Sequence, residues 1–124
     1  MRALTLIASL IAAALAFESG RAGTLLCANT LKVSVLANGD LLIDGVKSDF
    51  DTLDQRLDQI VKAKGAVWYY REAAGTAPTA ADSATIDKTI KLIIKHRAPV
   101  SLSSKPDFSD TIDDRGNSTP RTQC

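Results

Sequence analysis

Hydrolytic chemistry is the first reading the sequence invites. His96 is the only histidine in 124 residues, and Ser101, Ser103, Ser104, Asp107 and Asp110 follow it closely. A serine, an imidazole and a carboxylate are the parts of a nucleophile, its base and the group that orients the base. The glycine-flanked serine elbow of many such hydrolases is missing, and closeness in sequence says nothing of geometry. A structural role is the competing assignment, because His96 falls where a helix is expected to end and the dipole there favours positive charge. A second constellation is acidic. Asp40, Asp44, Asp49, Asp51 and Asp54 could suggest calcium, but the EF-hand spacing and its closing glutamate are absent. Turns and helix caps account for all five, so neither a metal nor a cofactor is expected.

Two further segments suit recognition rather than reaction. Trp68-Tyr69-Tyr70-Arg71 holds the only tryptophan and both tyrosines. Strand alternation puts Trp68 and Tyr70 on one face and Tyr69 on the other. Core packing explains the aromatics. A partner-binding patch of Trp68, Tyr70 and Arg71 is the alternative, because interfaces favour these residue types. Lys105-Pro106-Asp107-Phe108-Ser109-Asp110 follows the last expected strand. Either Phe108 caps the core, or Lys105, Asp107 and Phe108 form a recognition loop.

The elements that position these groups follow from periodicity. Leu31, Val33 and Val35 alternate with polar residues, as in a half-buried strand. Asn38-Gly39 favours a type I′ turn, and Leu41-Leu42-Ile43 reads as the return strand, closed by a further turn at Asp44-Gly45. Ser48 and Asp49 are cap residues, and Asp51 lies three after Ser48 as in a capping box. Phe50, Leu53, Leu57, Ile60 and Val61 then recur at helical spacing, so a helix is expected over about 50–64. Residues 66–70 read as a near-central strand. Thr79 and Asp82 cap a second helix over about 80–96, with Ile86, Ile90, Ile93 and Ile94 on its apolar side. Pro99 stops it, and Val100-Ser101-Leu102-Ser103 is the last strand. Asp58 with Lys62 and Asp87 with Lys91 form i, i+4 pairs. The expected fold class is α+β, a two-layer sandwich of order ββαβαβ, with a four-stranded mixed sheet and two helices on one face. Residues 105–124 read as a loop and a flexible, polar C-terminal tail.

The N-terminus differs in kind. Arg2 precedes the uncharged, apolar stretch 3–17. Fifteen helical residues reach roughly 22 Å, short of the about 30 Å of a bilayer core. Gly20-Arg21-Ala22 supplies the small residues of a cleavage site, so residues 1–22 are expected to be a signal peptide. A short membrane anchor is the other reading. Leu26 is too large for a lipoprotein signal at Cys27. Cleavage would remove two of the 15 basic and one of the 14 acidic side chains, leaving a net charge of zero and no general attraction for nucleic acid. Export makes a Cys27–Cys124 disulfide one outcome, with free or intermolecularly paired thiols as the others. A periplasmic or secreted location is expected.

The run Val33-Ser34-Val35-Leu36-Ala37-Asn38-Gly39-Asp40-Leu41-Leu42-Ile43-Asp44-Gly45 resembles the opening of periplasmic domains in the ExbD/TolR biopolymer-transport family. There too, strand, Gly-containing turn, strand and Gly turn precede a leucine-bearing helix, and a strand, helix and strand complete the pattern. The resemblance covers about residues 30–103, so 23–104 are expected to form the domain. Family members carry an N-terminal membrane helix with an aspartate that serves proton-driven energy transduction, whereas 3–17 contain no acid. The resemblance therefore implies a free, non-enzymatic interaction module, accessory to envelope energy transduction or biopolymer transport. Its partner would be an envelope protein or the cell wall, with a homodimer as a further option and no membrane span after cleavage. A small exported hydrolase using His96 and a membrane-anchored accessory subunit are the alternatives.

Overall fold

The structure is a computed structural model and describes residues 27–122. Residues 1–22, expected to be a signal peptide, and Cys124 of the candidate disulfide lie outside them. β1 (Thr30–Val35) turns all three of its alternating apolar side chains, Leu31, Val33 and Val35, fully out of solvent. It pairs antiparallel with β2 (Leu41–Ile43). The connecting turn is not the expected I′ form. Only Gly39 in the Asn38-Gly39 pair is left-handed, at φ 93°, and its N–H closes a turn onto the Leu36 carbonyl at 2.9 Å.

The I′ signature sits one turn later. Asp44 (φ 49°) and Gly45 (φ 82°) are both left-handed, as a two-residue hairpin turn requires. Ile43 and Val46 face each other across it, and β3 (Val46–Ser48) runs back along β2. The main sheet therefore has five strands, not four. Asp49, rather than Ser48, caps α1 (Phe50–Lys62), its carboxylate accepting the Thr52 N–H at 2.8 Å. Leu53 and Leu57 are the fully buried residues of this helix. At its end Lys64 takes the left-handed position, φ 57°, and Gly65 N–H reaches back to the Ile60 carbonyl.

β4 (Ala66–Arg71) lies between β1 and β5 (Val100–Ser103), parallel to both, and the strand order is β3-β2-β1-β4-β5. α2 (Ala80–Lys95) supplies the second crossover. The Asp82 carboxylate, 2% exposed, takes both the N–H and the hydroxyl of Thr79, which satisfies donors that a helix start leaves open. Both expected i, i+4 ion pairs form, Asp58 with Lys62 and Asp87 with Lys91. The fold is α+β, and both helices contribute to one core: Leu53, Leu57 and Ile93 pack with Leu31, Val33, Val35, Val67 and Tyr69 of the sheet.

The stretch read as loop and tail holds a second, two-stranded sheet. β6 (Asp110–Ile112) and β7 (Ser118–Pro120) pair antiparallel. Asp113 shapes the turn between them by accepting the N–H groups of Arg115 and Asn117. Phe108, 6% exposed, packs on Trp68 and Tyr70, on the sheet face opposite the helices. β4 thus has cover on both of its faces. No helix among the described residues is long and apolar enough to cross a membrane.

Candidate interaction surface

Trp68 and Tyr70 are where alternation put them, but they do not form an open patch. They are 3% and 9% exposed. Phe108 lies 6.4 Å from the Trp68 ring and 6.3 Å from the Tyr70 ring, centroid to centroid. The Arg121 guanidinium stacks over Trp68 at 4.0 Å, and Cys27 packs against the same cluster. Of the residues proposed for partner binding, these aromatics are a second small core. The Arg71 guanidinium donates to the Thr76 carbonyl of the following loop at 3.0 Å. Lys105 and Asp107 are exposed. The Asp107 carboxyl is held below its ordinary value by the hydroxyl and N–H of Ser109.

The loop is locked by one carboxylate that the sequence offered as a triad member. Asp110, 2% exposed, accepts the Ser103 hydroxyl at 2.5 Å, the Ser118 hydroxyl at 2.6 Å, the Ser104 N–H at 3.0 Å and a short bond from the Ser104 hydroxyl. Burial pushes its pKa up, and these donors together outweigh burial and hold it far below the ordinary carboxylate range. Arg121 adds bonds to the Phe108 carbonyl and to Ser101 Oγ, both at 3.0 Å. Asp110, Ser103, Ser118 and Arg121 therefore join β5, β6 and β7 into one unit.

His96 caps the C-terminus of α2, and its Nε2 lies 2.6 Å from Asp54 Oδ1 on α1. Lys95 Nζ reaches the same oxygen at 3.2 Å. The structure thus brings His96 together with Asp54, while Ser103 and Ser104 turn to Asp110. Asp54 is held below its ordinary value first by the His96 bond and then by Lys95. A carboxylate with a depressed folded-state pKa stabilises above the unfolded value, and that contribution fades as pH falls through the folded one. The stability gap between wild type and Asp54→Asn should therefore narrow as pH drops below 3.8, the group's ordinary value. Urea titrations at a series of pH values check this. Among the described residues no group of three or more His, Cys, Asp or Glu side chains is placed to hold a metal ion.

The open surface lies elsewhere. β5 is an edge strand, and no strand pairs with its outer side among the described residues. Val67 N–H bonds to the Pro99 carbonyl at 2.8 Å. By strand alternation Ser101 and Ser103 face β4 in the same way, and the backbone groups of Val100 and Leu102 face outward. Their side chains are each 48% exposed, beside Ile90 and Ile94 of α2. Together with Tyr69 and Ile93 these residues line a largely apolar groove of about 300 Å³. Water gains nothing from such a wall, and an unpaired strand edge beside it is a ready template for another chain.

Sequence reasoning named none of the groove residues as a site. In the sequence Ile90 and Ile94 read as the helix's core stripe, and Val100 and Leu102 as part of an alternating strand. The available signal was an excess of apolar residues: α2 carries more isoleucine than one last strand can cover.

Compared with known proteins, the sequence matches no family model and no curated protein. The functional reading therefore stands on the geometry and on the strand order.

Proposed function

We propose that this chain is a non-enzymatic interaction module of the cell envelope, resembling the ExbD/TolR periplasmic domain, that binds an extended segment of another protein along β5. The observation that carries this reading is the conjunction at one edge of an unpaired strand and an apolar groove. Strand addition uses both: main-chain hydrogen bonds supply affinity, and the groove takes alternate side chains. The element order within residues 30–103 opens with a three-stranded antiparallel meander, one strand more than the family pattern, and continues with the two helix–strand units on which the likeness rests.

The reading predicts that Leu102→Asp abolishes capture while the fold survives, because a half-exposed edge position tolerates a charge that a docked strand does not. Pull-downs from envelope extract with wild type and Leu102→Asp test it, with cross-links mapped to residues 98–104. A protein recovered by wild type, lost with the variant and cross-linked to that edge supports the proposal. Recovery of no protein, together with no self-association, overturns it.

Export belongs to the same proposal. Mass spectrometry of the chain from its native envelope, with and without reductant, should show a start at Gly23 and a mass difference of two hydrogen atoms for a Cys27–Cys124 bond. An intact Met1 supports instead the anchored accessory subunit.

A further inference from the structure

We infer that the occupant of the β5 edge is an extended segment with apolar residues at alternate positions and acidic residues at both ends, and not a second copy of this chain. The inference rests on the strand-addition reading above and adds the chemistry of the partner. Arg97 precedes β5 and Lys105 follows it, and both are exposed. Neither belongs to an ion pair within 4.0 Å among the described residues, whereas Lys91 and Lys95 of the adjacent helix are each neutralised, by Asp87 and Asp54. Asp107 feels the charge of Lys105, but its carboxylate is turned onto the Ser109 N–H at 3.1 Å. Between the two cations, residues 98–104 contain no charged side chain. The edge is an apolar track with a positive charge at each end.

That pattern discriminates between occupants. A strand presenting two alternate apolar side chains fills the groove beside Val100 and Leu102, and a carboxylate beyond each end meets Arg97 or Lys105. A second copy would pair antiparallel about a twofold axis. The register that sets Val100 against Leu102 of the other copy, and so matches the apolar residues, is centred on Ser101, and it sets Arg97 against Lys105 at both ends of the new ladder. Like charges placed opposite each other across strands are destabilising, and both cations would lose water without gaining a counter-ion. Specificity of this kind comes from the repulsion as much as from the attraction.

The test uses the full chain and three short synthetic peptides with the same alternating valines, flanked at both ends by aspartates, by serines or by lysines. Binding is measured by calorimetry or fluorescence anisotropy at low and high salt. The aspartate-flanked peptide should bind about tenfold more tightly than the serine-flanked one, since two exposed ion pairs of ordinary strength amount to about that factor. The preference should shrink in high salt and invert in favour of the lysine-flanked peptide in the double variant Arg97→Glu, Lys105→Glu. Equal affinity for all three peptides, each lost with Leu102→Asp, overturns the acidic partner and leaves strand addition standing. Binding of none, together with no wild-type-only partner in the pull-down, removes strand addition itself. Concentration-dependent dimerisation that Leu102→Asp abolishes overturns the inference in favour of self-pairing.

Discussion

Asp110→Ala is expected to destabilise the protein by about 3 kcal/mol, one of the two largest single effects available outside the main core. The substitution removes the acceptor of four donors at once, the hydroxyls of Ser103, Ser104 and Ser118 and the Ser104 N–H, of which only the Ser103 hydroxyl has a second acceptor, the Lys105 carbonyl. Hydrogen bonds to a charged acceptor contribute about 1.5–3 kcal/mol each in favourable cases, and a buried donor left alone costs a further about 1–3 kcal/mol. Bond losses within one network are not additive, and the hydroxyls can turn partly toward solvent, which is why the sum is not the expectation. Asp110→Asn keeps an acceptor for the Ser104 N–H and should lose roughly half as much. Denaturant midpoints followed by Trp68 fluorescence read the effect where it arises, because Trp68 sits directly under Phe108 and Arg121. A midpoint unchanged in both variants would show that the hairpin is held by something else.

The same carboxylate sets an acid limit. Its folded-state pKa is lowered, so its contribution is complete above the unfolded value and is lost as pH falls toward the folded one. Wild type should therefore lose stability progressively below about pH 3.8, its ordinary value, while Asp110→Asn loses less over the same window. Trp68 emission should shift to the red in wild type as the aromatic cluster opens.

Gly39→Ala is expected to cost more than about 3 kcal/mol, against roughly 1 kcal/mol for Gly45→Ala. Both glycines are left-handed, at φ 93° and 82°, so both substitutions carry the backbone penalty of an L side chain there. They differ in what the new methyl meets. At Gly45 nothing lies within 4 Å, whereas at Gly39 the Ala81 carbonyl oxygen is 2.2 Å away. That oxygen belongs to the first turn of α2 and cannot rotate aside. Relief requires the turn to lift from the helix, which breaks the 2.7 Å bond from Thr85 Oγ1 to the Gly39 carbonyl. Thermal unfolding of the two variants side by side separates steric from conformational cost. Equal losses would mean that the turn and helix do not touch in solution.

Most of the main sheet was legible because burial writes itself into period. Leu31, Val33 and Val35 alternate, and Leu53 and Leu57 recur at helical spacing; those five are all fully buried. The elements that escaped are those with little apolar content. β3 has one apolar residue, Val46, and it is 68% exposed, so nothing in its composition marks a strand. Only the Asp44-Gly45 turn announced it. β6 and β7 are likewise polar, held by Asp110 and by pairing rather than by a hydrophobic face. The interaction edge was hidden for the opposite reason. Val100 and Leu102 carry the pattern of core residues, and only the sheet order, which puts β5 last with no helix fully over it, leaves them half exposed. His96 was readable as a helix terminus, while its partner Asp54, on the other helix, could not be found from spacing.

That β6 and β7 follow the main sheet in chain order has a consequence for synthesis. Ribosomes deliver a polypeptide from its N-terminus, so the strands bearing Trp68 and Tyr70 emerge before Phe108 and Arg121, the residues that roof them. Until residues 108–121 are delivered, the Trp68 and Tyr70 face of the sheet is greasy and bare. A prematurely terminated product would keep both helices and still be sticky. Such a chain is one that quality-control machinery in any compartment would be expected to seize.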